Sequence, residues 1–124
     1  MDNNQDTHET FLQLAVEIAR EHMQAGAGGP FGAVIVRNST VIGRGWNRVT
    51  SDHDPTAHGE VRAIQDACRR LGARDLAGAV IYISGGAPCP MCATACYWAG
   101  LERLYHATDP DNITDAGAPR YAQC

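Results

Sequence analysis

Pro88-Cys89-Pro90-Met91-Cys92 is the stretch on which the reading of this chain turns, and it has to meet a second one upstream, His58-Gly59-Glu60. A Cys-x-x-Cys pair at the start of a helix sets two sulfurs on one face, where the positive end of the helix dipole favours thiolate. Thiolates are zinc ligands. Cys89 and Cys92 supply two of them, His58 can supply a neutral imidazole as the third, and a tetrahedral ion then keeps its fourth position for water. Three protein ligands and one open position mark a catalytic zinc rather than a structural one. Glu60, two residues past the histidine, is left free of the metal and able to move protons between that water and a substrate.

Each half alone is weaker. A single Cys-x-x-Cys can be a redox pair or half of a structural zinc site, and His-x-Glu arises by chance in many helices. The two support each other because prolines flank Cys89, the histidine comes first, and each half sits just after a loop and just before a helical pattern. A structural site would close the fourth position with another Cys or His. Cys96, one turn past Cys92, is the nearby candidate, and its helical position places it in the core, as does that of Cys68.

The rest of the composition narrows the class. At 124 residues the chain is read as one domain, 1–124. No apolar run approaches the length of a membrane span, and Met1 to Thr10 has neither the basic nor the apolar region of a secretory signal, so a cytoplasmic location is expected. Five cysteines, two of them assigned to metal, read as reduced thiols and not as a disulfide framework. The formal net charge is −4 and there is no lysine. Ten arginines are spread along the chain, with the adjacent Arg69 and Arg70 read as a solvated helix face. Proteins that bind polyanionic nucleic acid gather positive charge on one face, so a small neutral substrate fits better than RNA.

Along the chain, Asp6-Thr7-His8-Glu9 reads as a capping box, and Phe11, Leu14, Ala15, Ile18 and Ala19 follow at helical spacing. A first helix is expected over about 7–25, ended by Gly26, Gly28, Gly29 and Pro30. Residues 31–37 and 41–46 read as a hairpin turning at Asn38-Ser39, with helices covering both faces of its sheet. The polar stretch 47–57 delivers His58 to a second helix with a buried stripe of Val61, Ile64, Ala67, Cys68 and Leu71, ended by Gly72. A third strand over 79–83, a glycine-rich turn over 84–87, a helix over 89–98 ending at Gly100 and a strand over 101–106 complete the order α, β, β, α, β, α, β. Strands joined through helices should run parallel, which makes an α/β mixed sheet between helical layers. The tail 108–124 reads as either a lid or a loose end.

Gly29 to Val36, Asn47, Asp54 to Val61, Pro88 to Cys92 and Tyr97-Trp98-Ala99 together resemble the cytidine deaminase-like superfamily, and within it the bacterial guanine deaminases. That resemblance implies the superfamily's three-layer sandwich, a five-stranded mixed sheet with helices on both faces. It implies zinc on His58, Cys89 and Cys92, Glu60 as proton shuttle, Asn47 hydrogen-bonding the base, and Phe31 and Gly59 at the substrate. It also implies a homodimer with C-terminal segments exchanged between subunits. Gly59 stands where alanine is usual in guanine deaminases, and Ala87 where glutamate is usual. Those enzymes continue past the position of Cys124, and their base-binding acidic residue falls near Pro119 and Arg120, so 108–124 is read as a shortened tail and the dimer as weaker or differently closed.

The chemistry so implied is hydrolytic deamination of a free nucleobase, guanine to xanthine with release of ammonia. Zinc brings its water to a pKa of about 7, and Glu60 carries protons to the ring nitrogen and the departing amine. Cytosine, guanosine and adenosine in tRNA follow in that order as alternatives. A non-catalytic zinc-binding module on a degenerate deaminase fold is the alternative of another class, and the intact Glu60 argues against it.

Overall fold

In a computed structural model, residues 4–24, 31–109 and 111–120 are described. The elements are α1 (Asn4–Gln24), β1 (Gly32–Arg37), β2 (Thr40–Trp46), α2 (Val49–Asp52), α3 (Gly59–Leu71), β3 (Val80–Ser84), α4 (Pro90–Ala99), β4 (Arg103–Ala107) and β5 (Thr114–Gly117). One five-stranded sheet runs β2-β1-β3-β4-β5. β1 is antiparallel to both β2 and β3, whereas β3 and β4 are parallel. The hairpin and the helix-joined parallel strands are those expected from sequence.

Alternation along the central strands feeds two cores. Val34, Val36, Tyr82 and Tyr105 point to one face, where Leu12, Ala15 and Ile18 of α1 cover them. Ala33, Ile35, Ile81 and Ile83 point to the other, beneath Ala63 and Ala67 of α3 and Cys96 and Ala99 of α4. The result is the helix-sheet-helix sandwich, and the family's five strands, that the resemblance implied.

Several local expectations are corrected. α1 begins at Asn4, so Asp6 lies inside the helix and the capping box is not its start. Ala25 and the terminating residues Gly26, Gly28, Gly29 and Pro30 lie outside the described residues, as does Cys124. The loop 47–57 contains the short helix α2. β3 and β4 are shifted by one or two residues from the expected ranges, to 80–84 and 103–107. The tail is neither lid nor loose end over 114–117, because β5 pairs antiparallel with β4.

The buried stripe of α3 also differs from the expected one. Leu71 is 37% exposed and Val61 is half-buried, while the fully buried positions are Ala63 and Ala67. Helix and strand meet here backbone to backbone. A Cβ on Gly43 would lie 2.6 Å from the Ala63 carbonyl oxygen and 2.7 Å from the Ala67 Cβ. One on Gly45 would overlap the Ala63 nitrogen and the Gly59 carbonyl oxygen. With no side chain on the strand and only methyls on the helix, α3 settles as low on the sheet as contact allows, so the larger residues of the expected stripe flank the contact. Gly72, with φ 64°, closes α3 in the left-handed conformation as expected.

Gly45→Ala therefore cannot be absorbed by a side-chain movement. It should destabilise the fold by at least about 1–3 kcal/mol, the usual cost of overpacking, read as a lower urea midpoint with an unchanged slope.

Candidate metal centre

Two helix starts face one another across the end of the sheet. His58 is the N-cap residue of α3, with φ −73° and ψ 154°, and Cys89 holds the same position on α4, with φ −68° and ψ 166°. Pro90 follows as the first residue of α4, where its missing N–H is one the helix would leave unbonded anyway. Cys92 sits one turn further in and is fully buried. β3 and β4 run parallel on either side of α4 in sequence, so the crossover delivers the cysteine pair to the strand ends beside β1.

His58, Cys89 and Cys92 offer ligand atoms that all lie within 4.8 Å of one another. His58 Nδ1 is 3.4 Å from Cys92 Sγ and 3.7 Å from Cys89 Sγ. In a tetrahedron with Zn–S of about 2.3 Å and Zn–N of about 2.0–2.1 Å, the nitrogen-to-sulfur edge is about 3.6 Å. The donor set and its spacing fit zinc. Electrostatics point the same way: burial, followed by the charge of Glu60 and the neighbouring Cys89, pushes the Cys92 thiol far up. The helix dipole expected to favour thiolate is outweighed here. A buried thiolate beside a carboxylate needs a cation, which is what a metal supplies.

Cys96 and Cys68 are not part of this group. Cys96 is fully buried in the core, and burial, with Glu60 adding to it, pushes its thiol up to about 12. Cys68 packs at the edge of the same core. Both match the sequence expectation.

A cavity of about 200 Å³ opens in front of the group. Six of the seven residues expected at the site line it, namely Phe31, Asn47, His58, Gly59, Glu60 and Cys89, and Cys92 lies behind them. Glu60 is only 7% exposed. Ile83, Gly86 and Ala87 complete the wall; of these only Ala87 was noted from sequence, as a departure from the family's glutamate and not as a site residue. For Gly86 the glycine-rich turn was the signal, and neither it nor the apolar Ile83 carries a group for chemistry.

Phe31 is 43% exposed and its ring lies over Gly85, where a Cβ would come within 2.7 Å of the ring. Gly85 has φ 122°, a conformation that favours glycine, so this turn both needs glycine and makes room for the aromatic. A Cβ on Gly59 would stand 3.2 Å from the Phe31 carbonyl oxygen, tight enough to press on the residue that walls the cavity. Asn47 is fixed at both ends of its backbone neighbourhood. Its N–H donates to the Phe31 carbonyl at 3.0 Å, and its side-chain Oδ1 accepts the Val49 N–H at 2.9 Å. The amide was expected both to donate to and to accept from a base edge; the Val49 N–H takes one lone pair of Oδ1 and fixes which way the amide points, leaving Nδ2 as donor and the second lone pair as acceptor.

A sandwich of this order with a three-ligand zinc group and a buried glutamate at two helix starts defines a zinc-binding deaminase class. Residues 5–108 match the family described as the cytidine and deoxycytidylate deaminase zinc-binding region, and the chain belongs to that family. It is 49% identical to the guanine deaminase of Bacillus subtilis over 110 residues, covering 89% of this chain and 70% of that protein. It is 42% identical to a tRNA-specific adenosine deaminase of Agrobacterium fabrum over 101 residues, covering 81% of this chain and 65% of the relative. The X-ray structure of the Bacillus guanine deaminase superposes with a TM-score of 0.78 at 52% identity, over 81% of this chain and 63% of that one. The chain thus spans about two thirds of the length of these relatives.

Purified protein should carry about one zinc per chain. His58→Ala, Cys89→Ala and Cys92→Ala should each lose most of it, and Glu60→Gln should keep it, as read by elemental analysis. Because the metal-free Cys92 thiol titrates well above its ordinary value, metal binding must release protons. Zinc retention against a chelator should therefore fall as pH falls.

Proposed function

We propose that this chain catalyses the hydrolytic deamination of a free nucleobase, guanine to xanthine and ammonia. The observation that carries the reading is the cavity itself, in which the zinc group, Glu60 and the Asn47 amide face one small space. The 49% identity to a guanine deaminase, above that to tRNA-specific deaminases, supports guanine as the base. A volume of about 200 Å³ is below the roughly 300–1,000 Å³ of sites for larger ligands and suits a planar base better than a base with its sugar.

Zinc on His58, Cys89 and Cys92, when bound, supplies activation of a water nucleophile near neutral pH. Glu60 takes the proton from the attacking water and passes it to the ring nitrogen; it then takes the remaining proton of the added hydroxyl and hands it to the exocyclic amine, so that the carbon–nitrogen bond breaks, the hydroxyl becomes the carbonyl and the amine leaves as ammonia. Its burial keeps the carboxylate from bulk water while it does so. Asn47 holds the base by donating from Nδ2 to an acceptor on the ring, and Phe31 covers one side of the purine.

Residues 1–124 are read as one deaminase domain of a cytoplasmic protein that acts on a small molecule and pairs as a homodimer. Tyr97 and Trp98, 51% and 72% exposed on α4, support a second copy as their cover. Among the described residues no helix is long and apolar enough to cross a membrane. Sedimentation at micromolar concentration tests the dimer.

Ammonia release from a panel of bases and nucleosides should be greatest with guanine. Glu60→Gln should lower kcat at least about 100-fold with zinc retained. Asn47 has a sharper test. Asn47→Asp keeps an oxygen for the Val49 N–H and loses the donor, so it should weaken turnover by about 1–3 kcal/mol without changing stability. Asn47→Ala should lose both. Turnover unaffected by Asn47→Asp would show that the amide does not hold the base.

A further inference from the structure

Five of the chain's ten arginines stand around one cleft, separate from the zinc cavity and sharing no lining residue with it. The cleft, about 310 Å³, lies between α3 and the strand β2, which is an edge of the sheet. Arg48 comes from the segment just after β2, Arg62 from the first turn of α3 and Arg69 and Arg70 from its last. Arg44 lies on β2 opposite Val34, so that its backbone borders the cleft and its side chain starts toward the α1 face. A spacing of seven returns Arg62 and Arg69 to the same helix face. The even scatter of arginine along the sequence thus becomes a cluster in the fold.

The carboxylates nearby do not cancel this charge. Asp52 binds Arg48 at 2.9 Å and lies 4.0 Å from Arg62. Asp66 binds Arg70 at 3.1 Å and also accepts the Arg44 backbone N–H at 2.9 Å. Among the described residues, the guanidinium groups of Arg44 and Arg69 have no ion-pair partner. The four guanidinium groups of Arg48, Arg62, Arg69 and Arg70 against two carboxylates leave an excess of two positive charges, in a chain whose formal net charge is −4. A concave surface of one sign focuses its field on whatever enters it.

We propose that this cleft binds a compact, multiply charged phosphate anion of the pyrophosphate or oligophosphate class. Guanidinium forks match phosphate oxygens two at a time, and several forks converging from a helix and the segment after β2 suit an anion with several such faces. The volume lies at the small end of ligand sites. Trp46, which lines the same cleft, gives the bound anion a reporter.

The test uses the zinc-loaded full chain carrying Trp98→Phe, which leaves Trp46 as the sole tryptophan of the two in the chain. Pyrophosphate is titrated against fluorescence and calorimetry, with protein-bound zinc measured throughout so that chelation is not read as binding. Saturable one-to-one binding that weakens as salt rises is expected. Arg62→Ala with Arg69→Ala should weaken it at least about 10-fold with zinc content and deamination of a free base unchanged. Arg69→Lys, which keeps the charge and loses the fork, should fall between. Absence of saturable binding, or equal binding by the double variant, would overturn the proposal. So would tighter binding of a short single-stranded oligonucleotide through the same two arginines, since the site would then belong to a polymer.

Discussion

The contact on which the rest depends is the seating of α3 on β2, where Gly43 and Gly45 present bare backbone to Ala63 and Ala67. Packing at this separation leaves no soft degree of freedom: helix and strand touch through atoms that cannot change rotamer. His58, Gly59 and Glu60 are the first residues above that contact, so their height over the sheet is set by it. On the opposite face, Gly32 does the same for α1, where a Cβ would lie 2.5 Å from the Ala15 carbonyl oxygen. Its own N–H is taken by the Ser84 hydroxyl at 2.9 Å, which ties the start of β1 to the end of β3 beside Phe31. The site is thus bounded by small residues whose only role is to let backbones approach.

What the sequence displays most clearly is chemistry held in short contiguous stretches. Pro88 to Cys92 and His58 to Glu60 each carry their own spacing, and the helix starts that orient them are written in the same residues. The sandwich was equally legible, because Val34-Ile35-Val36 and Ile81-Tyr82-Ile83 offer apolar groups to both faces. β5 was not. Thr114-Asp115-Ala116-Gly117 has no apolar alternation, and it joins the sheet through main-chain pairing with β4 at an edge that needs no buried face.

Two other features were hidden for different reasons. The seating of α3 was hidden because helical periodicity is sought in large apolar residues, whereas the contact here selects alanine and glycine. The arginine cleft was hidden because its members are brought together by tertiary structure, two from a strand and its exit and three from a helix that follows a loop. Only the adjacent pair Arg69-Arg70 was noted locally, and it was read as a solvated helix face.

The hydrogen bond from the Val49 N–H to the Asn47 side chain has a consequence for how recognition can change over time. An asparagine amide is ambiguous by nature, since rotation by half a turn exchanges its donor and its acceptor. Here the main chain removes the ambiguity, so the direction in which the residue 47 amide points is decided jointly with residue 49. Proline is tolerated at the first position of a helix, which Val49 occupies in α2, and it has no N–H to offer. If Asn47 holds the base as proposed, a lineage could therefore free the polarity of that contact by a change at a residue outside the cavity wall, leaving the asparagine itself untouched.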